Sequence, residues 1–316
     1  MVEYILMQRS RFSKLVPVCL LLACFAGSGC SLHRYALNKV SDAVAQSGAT
    51  YASDDDPELI KDAAPFGLKL TESLLAENPR HSGLLTSAAS GFTQYAYAFV
   101  QEQADETEPQ DFAAAETMRA RACRLYLRAQ GYGLRGLEVK HPDFGKSLLA
   151  SPRTAVRTTT KADVPLLYWT AAAWASAISL SKDNPGLVGQ IPAMEALMDR
   201  ALALDENWGN GTIHTFMITY EMSRSGAAGE PAARARKHFE RALELSHETD
   251  ASPLVAFAEA VDVQKQDVKE FEALLNRALA INPDANPDIR LRNLVMQRRA
   301  RWLLSRQSEL FLTESK

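Results

Sequence analysis

Apolar residues recur at intervals of three and four along most of the chain. A long series comprises Leu84, Ala88, Phe92, Tyr95 and Phe99, and a shorter one comprises Leu37, Val40 and Val44. This spacing places the apolar side chains on one face of an α-helix. Segments rich in Pro, Gly, Asn and Asp separate these blocks, and sustained alternation of β-branched and polar residues is almost absent from the sequence. The pattern predicts an all-α protein of about ten or eleven helices.

A short sequence register returns near the end of several predicted helices. Arg-Ala-Leu begins residues 200–204, 241–245 and 277–281, at spacings of 41 and 36 residues, and a related segment occupies 135–139. The small residue in this register lets two helices approach closely. We expect such close contacts at Gly136, Ala201, Ala242 and Ala278. The repetition predicts tetratricopeptide-like helical hairpins, stacked in a curved single domain.

The N-terminal residues have the layout of a secretory signal. Arg9, Arg11 and Lys14 precede an apolar run of 12 residues, and small residues follow it up to Cys30. The run is shorter than the roughly 20 residues that a membrane-spanning helix needs. We therefore predict a signal peptide at 1–29, an acylated tether with a first short helix at 30–56, and the tetratricopeptide-like domain at 57–316.

A cysteine at the predicted cleavage point is typical of a bacterial lipoprotein, in which Cys30 would carry the lipid. Gly27 stands where that pattern prefers Leu, and the alternative Cys24 matches locally but leaves too short an apolar run before it,. An ordinary soluble periplasmic protein is the other alternative. Ser31 favours the inner leaflet of the outer membrane under enterobacterial sorting rules, with the domain on the periplasmic side.

The net charge and the cysteine content limit which partners and cross-links we expect for this protein. The formal net charge is −3, and it becomes −5 once residues 1–29, with three cations and one anion, are removed. A mildly acidic chain is not suited to bind nucleic acid or to be held on anionic lipid by its net charge. A lipid chain therefore has to provide the anchor. Cys19 and Cys24 belong to the signal and Cys123 stands alone, so we expect no internal disulfide.

Motifs for catalysis, metal binding and cofactor binding are weak in this sequence. Residues 131–136 match G-x-G-x-x-G, but no predicted strand precedes them, which favours close helix packing instead,. The histidines lack metal-ligand spacing, and no nucleophile motif occurs. We predict no catalytic residue, no metal site and no cofactor. The charged neighbours of His238 indicate a solvated side chain, and Arg298, Arg299 and Arg301 are expected to be solvated or paired with acidic helices.

Residues 166–180, LLYWTAAAWASAISL, form the most unusual segment because they carry no charge. A helix that is apolar on all sides is either enclosed by its neighbours or forms one wall of an apolar pocket, and the two roles can be combined. Trp169 and Trp174 point about 140° apart on a helix, so we expect one in the core and the other at a channel. The candidate ligand-binding residues are Tyr95, Phe99, Tyr168, Trp169, Trp174 and His214.

Several segments, taken in their order along the chain, resemble one known family. They include GFTQYAYAF at 91–99, YWTAAAW at 168–174 and ALELS at 242–246, with further matches at 29–32, 34–40, 236–239, 290–294 and 300–304. Together they are similar to the T component associated with tripartite ATP-independent periplasmic (TRAP) transporters. The resemblance covers nearly the whole mature chain.

The resemblance implies a tetratricopeptide-like lipoprotein that self-associates into a ring such as a trimer, with an apolar channel or cleft in each protomer. It also implies the solute-binding P component as a partner, with ligand passing between the two proteins. The predicted function is a periplasm-facing accessory of a TRAP transporter that binds a small apolar or amphipathic ligand. The alternative is a tetratricopeptide scaffold lipoprotein for envelope or outer-membrane assembly, without a small ligand.

Overall fold

The computed structural model describes residues 35–312, and this part of the chain consists of helices joined by short turns, without a strand. The predicted signal peptide and Cys30 lie outside the described residues. The first helices are α1 (35–46), α2 (Gly48–Ala52), α3 (Pro57–Glu77), α4 (Ser82–Ala96), α5 (Glu102–Thr107), α6 (Phe112–Glu138), α7 (Phe144–Ala150), α8 (Pro152–Ala155) and α9 (Val164–Ser179). The remaining helices are α10 (Pro185–Val188), α11 (Ile191–Leu204), α12 (Thr212–Glu221), α13 (Pro231–Leu245), α14 (Ser252–Phe257), α15 (Val263–Lys265), α16 (Val268–Ala280), α17 (Arg290–Ser305) and α18 (Gln307–Leu310). The predicted fold class, an all-α domain of tetratricopeptide-like hairpins, is confirmed.

Several helices begin at Asp or Asp-Pro segments, in which the Asp side chain caps the helix N-terminus. The Asp56 carboxylate accepts from the N–H groups of Glu58 and Leu59 at 3.1 and 3.0 Å, and Pro57 occupies the first helical position of α3. Asp111 accepts at 2.9 Å from a backbone N–H in the first turn of α6. These caps satisfy N–H groups that have no partner within the helix. The predicted domain limit at residue 57 therefore coincides with a helix start, although the limits themselves stay a prediction.

The small residues of the repeated register lie at close helix contacts. Ala201, Ala242 and Ala278 have no exposed surface, and Gly136 is buried. A Cβ atom on Gly136 would lie only 2.6 Å from Leu166 Cδ2, so a larger side chain there would force the Leu166 side chain to move. The four predicted positions are thus buried, and two glycines of the α6 motif, Gly133 and Gly136, face α9,.

The fold contains two π-helical segments, and a buried carboxyl group lies at the end of each. Tyr97–Gln101 continues α4 into α5, and Ala258–Asp262 links α14 to α15. Glu102 follows the first segment and Asp262 ends the second, and they are 2% and 0% exposed. Burial raises the pKa of both carboxyl groups to about 8,. Each π-helical segment is therefore associated with a carboxyl group that stays mostly protonated at neutral pH.

The last long helix, α17, closes the domain against its first helices. Arg298 lies 2.6 Å from a Glu106 oxygen and 3.3 Å from Glu58, and Arg299 lies 3.1 Å from Asp105. The acidic partners belong to α3 and α5, so these ion pairs join the two ends of the described chain. The expected pairing with acidic helices is confirmed for both arginines. Among the helices of residues 35–312, none has the length and apolar character needed to cross a membrane.

Candidate ligand site

Five aromatic side chains from three neighbouring segments form one cluster. Tyr168 and Trp169 come from α9, Trp208 from the turn Trp208–Gly211, and Phe216 and Tyr220 from α12. The Tyr168 ring lies 4.9 Å from Trp169, 4.8 Å from Trp208 and 6.5 Å from Phe216, measured between ring centroids. Phe216 stacks on Tyr220 at 5.7 Å. We call these five residues the aromatic cluster.

The cluster lies at the edge of the apolar core, where most of its rings keep some exposed surface. Four of its rings are half-buried, and Tyr168 is 7% exposed. The Tyr168 hydroxyl has no hydrogen-bond partner among residues 35–312, although buried tyrosines usually have one. Burial raises the pKa of Tyr168 to about 12, with smaller opposing effects from Arg292, which lowers it, and Asp250, which raises it. A neutral hydroxyl therefore stands among apolar rings and is free to bond a ligand.

A polar rim lies beside these rings. Arg292 of α17 donates to Asp250 Oδ2 at 3.0 Å and to Thr212 Oγ1 at 3.4 Å. The Asp250 side chain is 6% exposed, whereas that of Arg292 is 35% exposed. Thr212 begins the helix that carries Phe216, so the rim and the rings belong to one surface. The arrangement can bind a molecule with an apolar body and a polar end, and it contains no nucleophile paired with a base.

The local sequence explains how Trp208 reaches the cluster. Gly209, Asn210 and Gly211 have φ values of 61°, 54° and 93°, a left-handed conformation that Gly and Asn tolerate best,. A Cβ on Gly211 would meet the backbone of α13 at 3.1 Å, which also requires glycine there. The turn redirects the chain between α11 and α12. Sequence reasoning missed Trp208, although the Asn-Gly pair next to it was a signal of an unusual turn.

Phe216 and Tyr220 were also missed, and here a periodic signal exists. Thr212, Phe216 and Tyr220 are four residues apart, so they lie on one face of α12. The same helix buries Ile213 and Met217 on another face. The sequence thus contains a second aromatic stripe, but nothing in the order of residues shows that it meets α9.

The two predicted tryptophans of α9 occupy different environments. Trp174 is 1% exposed, and its indole Nε1 donates to Gln190 Oε1 at 3.0 Å. Trp169 is half-buried and belongs to the aromatic cluster. The structure therefore places one indole in the core and the other beside open space, in line with their angular separation. Their roles in ligand binding stay predictions.

Tyr95 and Phe99 lie away from the aromatic cluster. Their rings contact each other at 5.8 Å on α4 and the π-helical segment that follows it. Phe99 is 7% exposed, whereas Tyr95 is half-buried beneath the guanidinium of Arg121, which lies 5.8 Å from the ring centroid. Neither ring stacks on Tyr168 or Trp169 in the described structure. A shared ligand site with α9 stays an untested prediction for both residues.

His214 belongs to a separate polar site. Its Nδ1 atom lies 2.8 Å from Nδ1 of His238, and its Nε2 atom lies 3.5 Å from a Glu206 oxygen. Burial lowers the pKa of both imidazoles, so both are neutral at pH 7 and one donates to the other,. His214 also lines an open recess with Lys161, Asp205, Glu206 and Asn207. His238 is half-buried rather than fully solvated, because its ring contacts His214 and its charged sequence neighbours lie on other faces of α13.

Metal ligands are not gathered at either site. Across residues 35–312, no group of three or more His, Cys, Asp or Glu side chains is placed to hold a metal ion. The stacked hairpins and the aromatic cluster define the class of the molecule as an all-helical, tetratricopeptide-like protein with an apolar surface site.

Comparison with known proteins assigns the family. A family model described as TRAP transporter T-component matches residues 53–311, and the chain belongs to this family. The chain is also 27% identical over 308 residues to an "Uncharacterized protein" of Treponema pallidum (strain Nichols), a similarity that covers 92% of this chain and 95% of that protein. The family is a transporter component and not an enzyme family, so membership gives the chain an accessory role in a TRAP transporter.

Proposed function

We propose that the protein is a periplasm-facing lipoprotein that binds a small apolar or amphipathic ligand and docks the solute-binding P component of a TRAP transporter. The aromatic cluster is the observation that carries this proposal. Four half-buried rings and one unpartnered tyrosine hydroxyl form a surface that is apolar with a polar end. Ligand sites in proteins have this composition, with few polar groups among many apolar ones.

Intrinsic fluorescence tests the ligand site, because Trp169 and Trp208 are part of it. We expect titration with decanol or decanoate to change the emission of the wild type. Trp208→Ala should weaken binding by about tenfold, since the lost ring contributes apolar contact area. Trp302→Phe is the matched control, because Trp302 lies on α17 between Arg299 and Arg306, away from the cluster. An unchanged emission in the wild type over the whole titration would contradict ligand binding.

Self-association into a trimer is part of the same proposal. Leu59, Phe66 and Leu70 share one face of α3 and are 56%, 74% and 39% exposed. An exposed apolar stripe of this kind marks a surface that another protein covers. A second copy of this chain is the proposed occupant. Phe66→Ser should shift the light-scattering mass toward the monomer, whereas Leu149→Ser, at a residue of α7 that is 57% exposed, should leave it unchanged.

The anchor and location are proposed from the N-terminal sequence. Acylation at Cys30 would hold the domain on the periplasmic side, with the inner leaflet of the outer membrane as the expected site. Cys30→Ser should abolish acyl labelling and Cys24→Ser should leave it intact. Labelling that persists in the Cys30 variant would overturn the assignment.

A scaffold lipoprotein without a small ligand is the second candidate. The extended surface of stacked hairpins is what favours it, because such surfaces commonly bind other proteins. It predicts that the P component binds equally well to the wild type and to Trp208→Ala. A ligand-dependent change in that affinity would favour the ligand-handling proposal.

A further inference from the structure

One side of α6 carries an unusual concentration of positive charge. Between Glu116 and Glu138 the sequence contains five arginines and no carboxylate. Arg119 is paired with three acidic side chains at 2.7 to 3.1 Å. The other four are exposed. We call them the α6 arginine face: Arg121, Arg124, Arg128 and Arg135.

Aromatic rings support three of these guanidinium groups. Arg121 lies over Tyr95 at 5.8 Å, Arg128 over Phe92 at 5.3 Å and Arg135 over Tyr132 at 5.2 Å. The three arginines are seven residues apart, which is about 10.5 Å along a helix. A ring against one face of a guanidinium restricts its motion and leaves its N–H edges able to bind oxygen atoms. The face is therefore a row of four cations, three of which lie over aromatic rings.

Carboxylates of the described chain neutralise little of this charge. Arg128 lies 3.6 Å from Glu72, which also pairs with Lys69 and accepts from the Tyr132 hydroxyl. For Arg121, Arg124 and Arg135, no carboxylate oxygen of residues 35–312 lies within the 4.0 Å of an ion pair. By contrast, the arginines of α17 that face α3 and α5 are fully paired. The α6 arginine face is thus positive although the mature chain is acidic overall.

The face begins at the end of the molecule where the described chain starts. Asn38 of α1 accepts from the Asn78 side chain at 2.7 Å, and Arg135 donates to the neighbouring Pro79 carbonyl at 3.3 Å. Cys30 precedes Asn38 by eight residues, of which the last few belong to α1. The reach of this connection is at most about 23 Å. A lipid on Cys30 would therefore hold the Arg135 end close to the membrane surface.

We propose that the α6 arginine face binds the phosphate groups of an anionic phospholipid surface and orients the domain on its membrane. This inference rests on the lipid anchor proposed above. The row of ordered guanidinium groups supplies bidentate donors for phosphate, and each cation near an anionic surface strengthens binding by about fivefold. The acyl chain and the basic face together would give the two membrane signals that stable, oriented attachment requires.

Chemical labelling of arginine in the acylated protein tests the proposal directly. The mature protein is inserted into preformed vesicles of phosphatidylcholine, with or without about 30% phosphatidylglycerol, and treated with phenylglyoxal. Mass spectrometry then gives the modification rate of each arginine. We expect Arg128 and Arg135 to react at least about fivefold more slowly on the anionic vesicles, and the difference to vanish at about 0.5 M NaCl. Arg301, an exposed arginine of α17, is the internal control.

The outcomes separate this inference from the anchor on which it rests. Protein that fails to stay on either vesicle shows that the anchor is missing. Stable attachment with equal labelling on both vesicles overturns the role of the face. Protection of Arg128 and Arg135 in the absence of vesicles also overturns it, because it assigns the face to a protein interface. The double variant Arg121→Gln/Arg124→Gln should reduce the lipid-dependent protection of Arg128 and Arg135, whereas Arg301→Gln should leave it unchanged.

Discussion

The helices α9 and α17 have the same length, 16 residues, but use opposite means to lie in the interior of the domain. α9 carries no charge and buries eleven residues among apolar neighbours. α17 carries five arginines and buries Asn293, Gln297 and Arg299 together with apolar residues. An apolar helix is stabilised wherever it is enclosed, whereas a charged one needs a specific partner at each position. Burial of α9 therefore follows from its own composition, whereas burial of α17 depends on partners that the rest of the fold supplies.

Each buried polar side chain of α17 has its own hydrogen-bond or ion-pair partners. Asn293 accepts from Ala251 N–H and donates to the Thr249 carbonyl, both at 2.9 Å. Gln297 donates to the Ile281 carbonyl at 2.7 Å, at the end of α16. Arg299 pairs with Asp105 at 3.1 Å and with Glu259. Each contact is satisfied only in this arrangement, so α17 fixes where the two ends of the domain meet.

The largest effect is expected for the tryptophan in the centre of α9. Trp174→Ala should lower the free energy of unfolding by about 3 to 5 kcal/mol, because it leaves a cavity in a closed core. Trp169→Ala should cost only about 1 kcal/mol, because that ring borders open space. Denaturant unfolding of both variants measures the difference. Equal losses would mean that Trp169 is also a core residue and would weaken the ligand site.

The next effect concerns the ion pairs of α17. Arg299→Gln should cost about 2 kcal/mol, because its side chain is 9% exposed and its loss leaves the half-buried carboxylates of Asp105 and Glu259 without that cation,. Arg298→Gln should cost less than about 1 kcal/mol, because that side chain is 40% exposed,. If both variants unfold at the same denaturant concentration as the wild type, α17 is held by its apolar contacts alone.

A third effect is a dependence of the unfolding free energy on pH, which comes from buried carboxyl groups outside α9. Burial raises the pKa of Glu102 to about 8, with Arg299 lowering it and Glu259 raising it. The folded protein therefore keeps a proton that the unfolded chain releases near its ordinary pKa of 4.5. Stability from this group is complete below that value and is lost as the pH rises toward about 8, by up to about 1.4 kcal/mol per pH unit. Asp262, with its pKa also raised to about 8, adds to the same slope.

Glu102→Gln is the variant that isolates this effect, because the amide has the same shape and does not titrate. Unfolding free energies measured between about pH 6 and pH 8 should fall less steeply for the variant than for the wild type. Trp169→Ala, which changes α9, should keep the slope of the wild type. Parallel slopes for Glu102→Gln and the wild type would show that Glu102 is ionised in the folded state.

A structural feature could be predicted from the sequence where a single segment determines it. The absence of charge over residues 166–180 predicts an enclosed helix, and the Arg-Ala-Leu register predicts the buried Ala201, Ala242 and Ala278. These features follow from composition and local spacing alone. Helix starts such as Pro57 were predictable for the same reason.

The aromatic cluster could not be predicted in full, because its members are brought together by the fold. Trp208 depends on a left-handed turn, and Phe216 on the packing of α12 beside α9. Tyr95 lies on α4, where its ring supports Arg121. His238 was assigned to solvent from its sequence neighbours, although residues adjacent in a helix point about 100° apart. Periodicity shows which residues share a face but not which faces meet.

Native mass spectrometry of the purified protein shows directly whether the aromatic cluster holds a small molecule. We expect a wild-type mass that exceeds the mass of the polypeptide and its acyl groups by one small ligand. The extra mass should persist in Arg301→Gln and be lost in Trp208→Ala, provided that both variants are folded. Ligand-free wild type, or equal ligand retention by Trp208→Ala, would contradict the claim.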